Sequence, residues 1–374
     1  MLTNSGASKY VRLIRCGHPH MARPTSKDAT MTKALTNPHT TGDAPSRYVP
    51  EPDKTGSEHD YGQVLDDLSA ASVHRNFDPY VDIDWDAPHM AITADDPRWI
   101  LSYEVDPIGR HPWYQQLPES KQIEIGMWRQ ANVAKVGLQF ESVLIRGLMQ
   151  YSFSLPNGAR EFRYTTHESK EECNHTLMFQ EFVNRVGMDV PGAKIGYRLI
   201  SPLVPLVSTV FPVVFFFGVL GGEEPIDHIQ KDFLRTRVRL HPTMAAVMQL
   251  HVAEEARHIS FAHHFIREQV PQRNRFQRFL LSLMLPLAMR ILCGAIVVPP
   301  RSFAREFDVP REVMKDIFWR SEESKRFLRN VFGDVRMLAD QSGLMNPVSR
   351  LLWRALGISG RPSRFRSEPT YTAA

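Results

Sequence analysis

The chain has 374 residues, with 45 Lys and Arg against 41 Asp and Glu, a formal net charge of +4 and three cysteines. That length holds one large helical domain with appendages, or two ordinary domains. The mild basic excess lacks the dense, aromatic-interleaved stripe of a nucleic-acid binder, no Gly-x-Gly-x-x-Gly or Walker-type sequence marks a nucleotide fold, and Cys16, Cys173 and Cys293 are too dispersed for a disulfide framework or a Cys-x-x-Cys site.

Residues 1–62 are rich in Ser, Thr, Pro, Gly, Asp and Lys without hydrophobic periodicity and read as a disordered N-terminal extension; no apolar signal core follows Met1. Residues 63–300 are expected to form the central domain, and 301–374 a C-terminal helical extension with a basic tail at Arg361, Arg364 and Arg366. Up to about residue 116, Pro and Trp punctuate short helices and loops that should wrap a bundle. A first long helix is expected from Pro118 or Glu119 past Glu141 to about Tyr151, and a second from Glu161 to Val186 with Gly187 as its stop. A third should contain Glu224 and continue toward Arg239. A fourth should begin at Pro242, an N1 proline after His241, and end before Pro271. Arg273 to Ile296 and Arg311 to Leu338 read as two more helices packed outside these four.

Residues 199–220 carry no charge and are long enough to cross a hydrocarbon core, but Pro202, Pro205 and Pro212 interrupt them. A crossing would leave Glu224 just outside the far surface. The expectation is therefore a buried, broken helix leading into the third helix and lining an apolar substrate channel. Residues 279–298 are also apolar but hold Pro286 and Arg290 centrally, which suits a packed or interfacial helix. Cysteine usage points to the reducing cytoplasm, with peripheral membrane contact through an apolar patch left open.

Glu-x-x-His occurs twice, as Glu172-Cys-Asn-His175 and Glu255-Ala-Arg-His258, and a lone glutamate precedes each copy by the same interval (172 − 141 and 255 − 224, both 31). About one such tetrapeptide is expected by chance in a chain this long, so the pairing with upstream glutamates is what carries weight. On a helix, residues three apart share a face, so each copy aims a carboxylate and an imidazole at one point. Glu141 sits in a mostly apolar stretch, where a carboxylate costs several kcal/mol unless it is paired or metal-bound. His251 adds a third imidazole on the stripe of Glu255 and His258, at i, i+4 and i+7. The expected ligands are Glu141, Glu172, His175, Glu224, His251, Glu255 and His258. Four carboxylates and three imidazoles suit two iron ions, Fe2+ or Fe3+, or manganese, better than zinc. Glu223 is the alternative to Glu224, because neighbours on a helix diverge by about 100° and only one can point inward. Asp227 and His228 stand where they can hydrogen-bond a ligand from outside; His263 and His264 are expected on the outer face or behind the ligands. Cys173 should face away from the metals as a small packing residue.

The order of these residues resembles the p-aminobenzoate N-oxygenase family, AurF-like non-haem di-iron oxygenases: a lone Glu at Glu141, Glu-x-x-His at Glu172 and His175, a lone Glu at Glu224, then His-x-x-x-Glu-x-x-His at His251, Glu255 and His258. Upstream, residues 76–85 and 111–118 also look like the family's lead-in to its first bundle helix. The resemblance spans roughly residues 75–300. It implies an all-α, ferritin-like four-helix bundle with flanking helices, a homodimer, O2 as co-substrate, and oxygen transfer to an amine nitrogen of a small molecule, with carbon hydroxylation the nearby option. No flavin or iron-sulfur motif is present, so an external electron donor, a reductase or ferredoxin, is implied. A ferritin-like ferroxidase and a membrane-associated lipid desaturase or hydroxylase are the competing readings; the long extensions argue against the first, and the single poor histidine box, His258 with His263 and His264, against the second.

Overall fold

The computed structural model describes residues 60–235 and 240–368; the extension expected at 1–62 lies almost wholly outside these, as does the end of the third helix near Arg239. In chain order the helices are α1 (Tyr61–His74), α2 (Pro79–Asp82), α3 (Pro112–Gln115), α4 (Glu119–Phe153), α5 (Arg160–Val186), α6 (Ile195–Ile200), α7 (Val204–Val210), α8 (Pro212–Arg235), α9 (Pro242–Gln269), α10 (Arg275–Val297), α11 (Arg301–Glu306), α12 (Arg311–Lys315), α13 (Glu322–Asn330), α14 (Gly333–Gln341) and α15 (Pro347–Ala355). No strand occurs among the described residues. The protein is an all-α, ferritin-like bundle of α4, α5, α8 and α9, with the remaining helices packed around it.

Local chemistry sets the ends of the bundle helices. Gly187 closes α5 at φ 73°, a left-handed conformation that costs a residue without a side chain nothing. Pro242 fills the first turn of α9, where no backbone donor is needed, and His241 Nδ1 caps the helix by accepting from Thr243 N–H. A reciprocal Asn274–Gln277 capping box starts α10.

The core is aromatic and continuous. Trp99, Trp128, Phe182, Phe216, Phe217 and Phe261 are completely buried, each worth about 1.5–3 kcal/mol of apolar burial. Phe303, Phe332 and Trp353 of the C-terminal helices join the same cluster. The lead-in is strapped across α5: Asn174 Nδ2 donates to the Phe77 carbonyl at 2.7 Å, and Arg185 to that of Trp85 at 2.8 Å. Trp99 stacks on His241 with centroids 4.4 Å apart.

Two expectations need correction. The helix expected over Arg311 to Leu338 is three pieces, because a π-helical turn over Asp316–Arg320 ends α12, Ser321 caps α13 by accepting from Ser324 N–H, and α14 restarts at Gly333. The apolar run at 199–220 is broken, as the prolines require, but only its second half is buried. Val213, Phe215, Phe216 and Phe217 fill the core, whereas Leu199, Leu203, Leu206, Val210 and Phe211 are all more than half exposed. A short helix ending at Val210 and a turn at Phe211 cannot present one continuous face to the bundle, so the α6–α7 segment lies on its surface.

Candidate metal centre

Each bundle helix contributes inward carboxylates. Glu141 comes from the middle of α4, Glu172 and His175 from α5, and His251, Glu255 and His258 from α9, all buried. Their ligand atoms fall into two overlapping sets within coordination reach: Glu141, His175, His251 and Glu255, and Glu172, His175, Glu255 and His258. His251 Nε2 lies 3.2 Å from Glu141 and 3.3 Å from Glu255; His258 Nδ1 lies 2.8 Å from Glu172 and 3.5 Å from Glu255; His175 Nδ1 lies 3.3 Å from Glu172 and 3.5 Å from Glu255. Six of the seven expected residues are thus brought together.

The seventh is not. Glu224 Oε1 pairs with His263 Nε2 at 2.6 Å, in a separate buried cluster with Asp227 and Arg366. Its neighbour Glu223 faces Glu255 and Glu172 instead. The 100° step between adjacent helical residues admits only one of them, and the rotation of α8 selects Glu223. Asp227 and His228 follow Glu224 outward: Asp227 accepts from Lys231 at 2.6 Å, and His228 lies 3.5 Å from Asp232. His263 is fully buried, not on an outer face. Cys173 points away from the centre but is exposed and does not pack.

The imidazoles are held from behind. Glu254 lies 3.0 Å from His175 Nε2, Glu171 2.8 Å from His258 Nε2, and Gln230 Oε1 2.8 Å from His251 Nδ1. Each of these oxygens accepts from the outer ring N–H, which would leave the inner nitrogen to bind a metal once its proton is displaced. Arg257 Nη2 reaches both Glu171, at 2.9 Å, and Glu254, at 3.3 Å, neutralising the outer carboxylates. Spacing missed these residues, although the signal was visible: the repeat is Glu-Glu-x-x-His, at Glu171 and at Glu254. Glu168, one turn before Glu172, also faces the cluster.

This much buried acid is unstable without cations. Burial, reinforced by neighbouring carboxylates, pushes Glu141 and Glu223 well above the usual carboxylate range, and burial does the same to Glu168. Burial opposes charge on His175 and His258, but the acids around them raise both well above an ordinary histidine. Burial also works against the charged form of Glu172, yet His258 and His175 hold it well below normal. Several oxygens make no hydrogen bond to any described residue: Glu141 Oε2 and both oxygens of Glu168, Glu223 and Glu255 are buried without one. Orphaned buried acceptors beside inward imidazole nitrogens are the donor set of a carboxylate and histidine metal site.

A cavity of about 60 Å³ lies on the outer side of His251, lined by Val133, Ile226, Ile229, Met244 and Met248, with Gln230 between it and that imidazole. The later turns of α8 line it, rather than the 199–220 run. Arg129 and Asp106 also line it, their Nε and Oδ2 3.7 Å apart.

Residues 58–343 match the family model described as p-aminobenzoate N-oxygenase AurF. Uncharacterized proteins of Mycobacterium bovis and Mycobacterium tuberculosis are 62% identical to this chain over 310 residues, which cover 83% of it and 91% of each relative.

Proposed function

The chain belongs to the p-aminobenzoate N-oxygenase AurF family, and from that premise we propose that it is a non-haem di-iron oxygenase that inserts an atom of O2 into the amine nitrogen of a small, largely apolar molecule. The observation that carries this reading is the pair of overlapping ligand sets sharing His175 and Glu255. Two sets with common members would suit two ions held side by side.

Glu141, Glu172, Glu223, Glu255, His175, His251 and His258 would hold the iron pair, which would supply two-electron reduction of O2 when bound. That is four carboxylate charges for two divalent ions. Manganese is the alternative occupant. Glu171, Glu254 and Gln230 fix the tautomer of each imidazole, so that the inner nitrogen carries no proton. Phe179, whose ring lies 5.1 Å from that of His251, walls the centre with apolar surface and limits water. Electrons come from a separate ferredoxin or reductase.

The test is anaerobic loading of the purified protein with ferrous iron, followed by O2 in the presence of p-aminobenzoate and other aromatic amines. Two irons per chain and a nitrogen-oxidised product are expected. Tight binding of two irons with no oxidised product from any amine would reject the reaction and leave only the metal site.

A further inference from the structure

The surface carries a second feature that oxygenase chemistry does not use. On α6, α7 and the link between them the exposed side chains include Ile195, Leu199, Leu203, Leu206 and Val210; on α10 they include Phe276, Leu280, Met284, Leu287 and Ile291. The α10 set recurs every three or four residues, a single helical stripe, while Leu281, Leu285, Met289 and Cys293 on its other side are buried. Both segments flank α8. Lys194 Nζ, just before α6, donates to the Gly294 carbonyl of α10 at 2.8 Å, and α10 places Leu292 against Gly218 and Gly221 of α8. Between them α8 shows half-buried Val214 and Gly218. The apolar side chains therefore form one exposed face of the kind that marks an interaction surface.

The charge on these two segments has one sign. Between Asp189 and Glu223 the only ionic residues are Lys194 and Arg198, and between Glu268 and Glu306 they are Arg273, Arg275, Arg278, Arg290, Arg301 and Arg305. Arg198 and Arg275 are exposed. A two-fold dimer through this face would set the patch against itself, bringing arginine toward arginine with no acid from either segment. An anionic lipid surface answers both the apolar stripe and the uniform positive rim.

We propose that α6, α7 and α10 form a docking face that lies on an anionic membrane surface. The face rests in the headgroup region rather than spanning the bilayer. An 18-residue window within residues 275–306 is apolar and long enough to cross, but α10 carries Pro286 and Arg290 within it and buries one side against the protein core.

The experiment is flotation of the full chain with phosphatidylcholine vesicles, with and without phosphatidylglycerol, at low and high salt. The protein should float with the anionic vesicles and be released by salt. Arg275→Gln with Arg278→Gln should weaken partitioning about 25-fold, roughly fivefold for each cation. Leu203→Glu with Ile291→Glu should abolish it while helical content and iron binding stay as in wild type. Failure to float, or flotation unaffected by both double variants, overturns the proposal. So does light scattering in which the wild type is a dimer, Leu203→Glu with Ile291→Glu is a monomer, and neither binds vesicles, since the face then joins two copies.

Discussion

Glu171 accepts a hydrogen bond from Nε2 of His258 at 2.8 Å, across the gap between α5 and α9. The reciprocal bond runs from His175 to Glu254 at 3.0 Å, so each copy of the repeat orients the imidazole of the other. The two hairpins are coupled through their ligands as well as through packing.

Removing that support should loosen the metal without removing a ligand. Glu171→Gln and Glu254→Gln are each expected to lower iron affinity about 10- to 100-fold, because an amide is a weaker acceptor for the ring N–H. Competition with a graded series of chelators measures this. Affinities unchanged in both variants would mean that the bonds orient nothing.

Glu223 and Glu224 separate cleanly by variant. Glu223→Gln should reduce bound iron below two per chain, and Glu224→Gln should leave the stoichiometry intact. Glu255→Ala and His258→Ala should abolish both iron retention and O2 consumption. Elemental analysis after desalting decides, and the opposite pattern at 223 and 224 would return the ligand role to Glu224.

His263→Ala should leave two irons bound but cost stability, about 1–3 kcal/mol, since it opens a buried void and strips Glu224 of its partner. Urea midpoints and iron content, read on the same preparation, test both halves. Loss of iron with no change in midpoint would contradict the placement of His263 outside the centre.

Gly222→Ala should be destabilising by about 1–3 kcal/mol, because a β-carbon at that position would fall within the Phe140 ring that packs on α8. A thermal melt of the variant is the check, and an unchanged midpoint would show that Phe140 can move aside freely.

Glu368 anchors the end of the described chain by accepting from Arg361 at 2.9 Å and from Arg364 at 2.8 Å. Hydrogen bonds from Arg361 and the Arg364 backbone hold its pKa at about 2. An unfolded glutamate titrates near 4.3, so the stability that this carboxylate adds is fully present above that pH and lost as pH falls toward about 2. Because its arginine partners are largely exposed, the contribution should be about 1 kcal/mol. Melts of wild type and Glu368→Gln should differ at neutral pH and converge at about pH 2; a gap that persists in acid would point to packing instead of charge.

Periodicity, capping and spacing made much of this protein readable in advance. Gly187, Pro242 and the caps around them are local in origin, so the ends of α5 and α9 followed from the sequence. Glu141, Glu172, His175, His251, Glu255 and His258 were legible because helical geometry converts sequence spacing directly into a shared face. Residues 311–338 were not, since a π-turn and two restarts depend on what packs against each piece.

The sequence by itself determined the bundle helices, most of their inward carboxylates and the chemistry of the donor set, because all of these arise within a turn or two of backbone. Only the tertiary structure decided that Glu223 rather than Glu224 turns inward, that Glu171 and Glu254 each serve the other hairpin's histidine, and that half of the apolar run stays on the surface. Those choices depend on how one helix is rotated against its neighbours, and that rotation is set by the summed packing of all four, which no local pattern encodes.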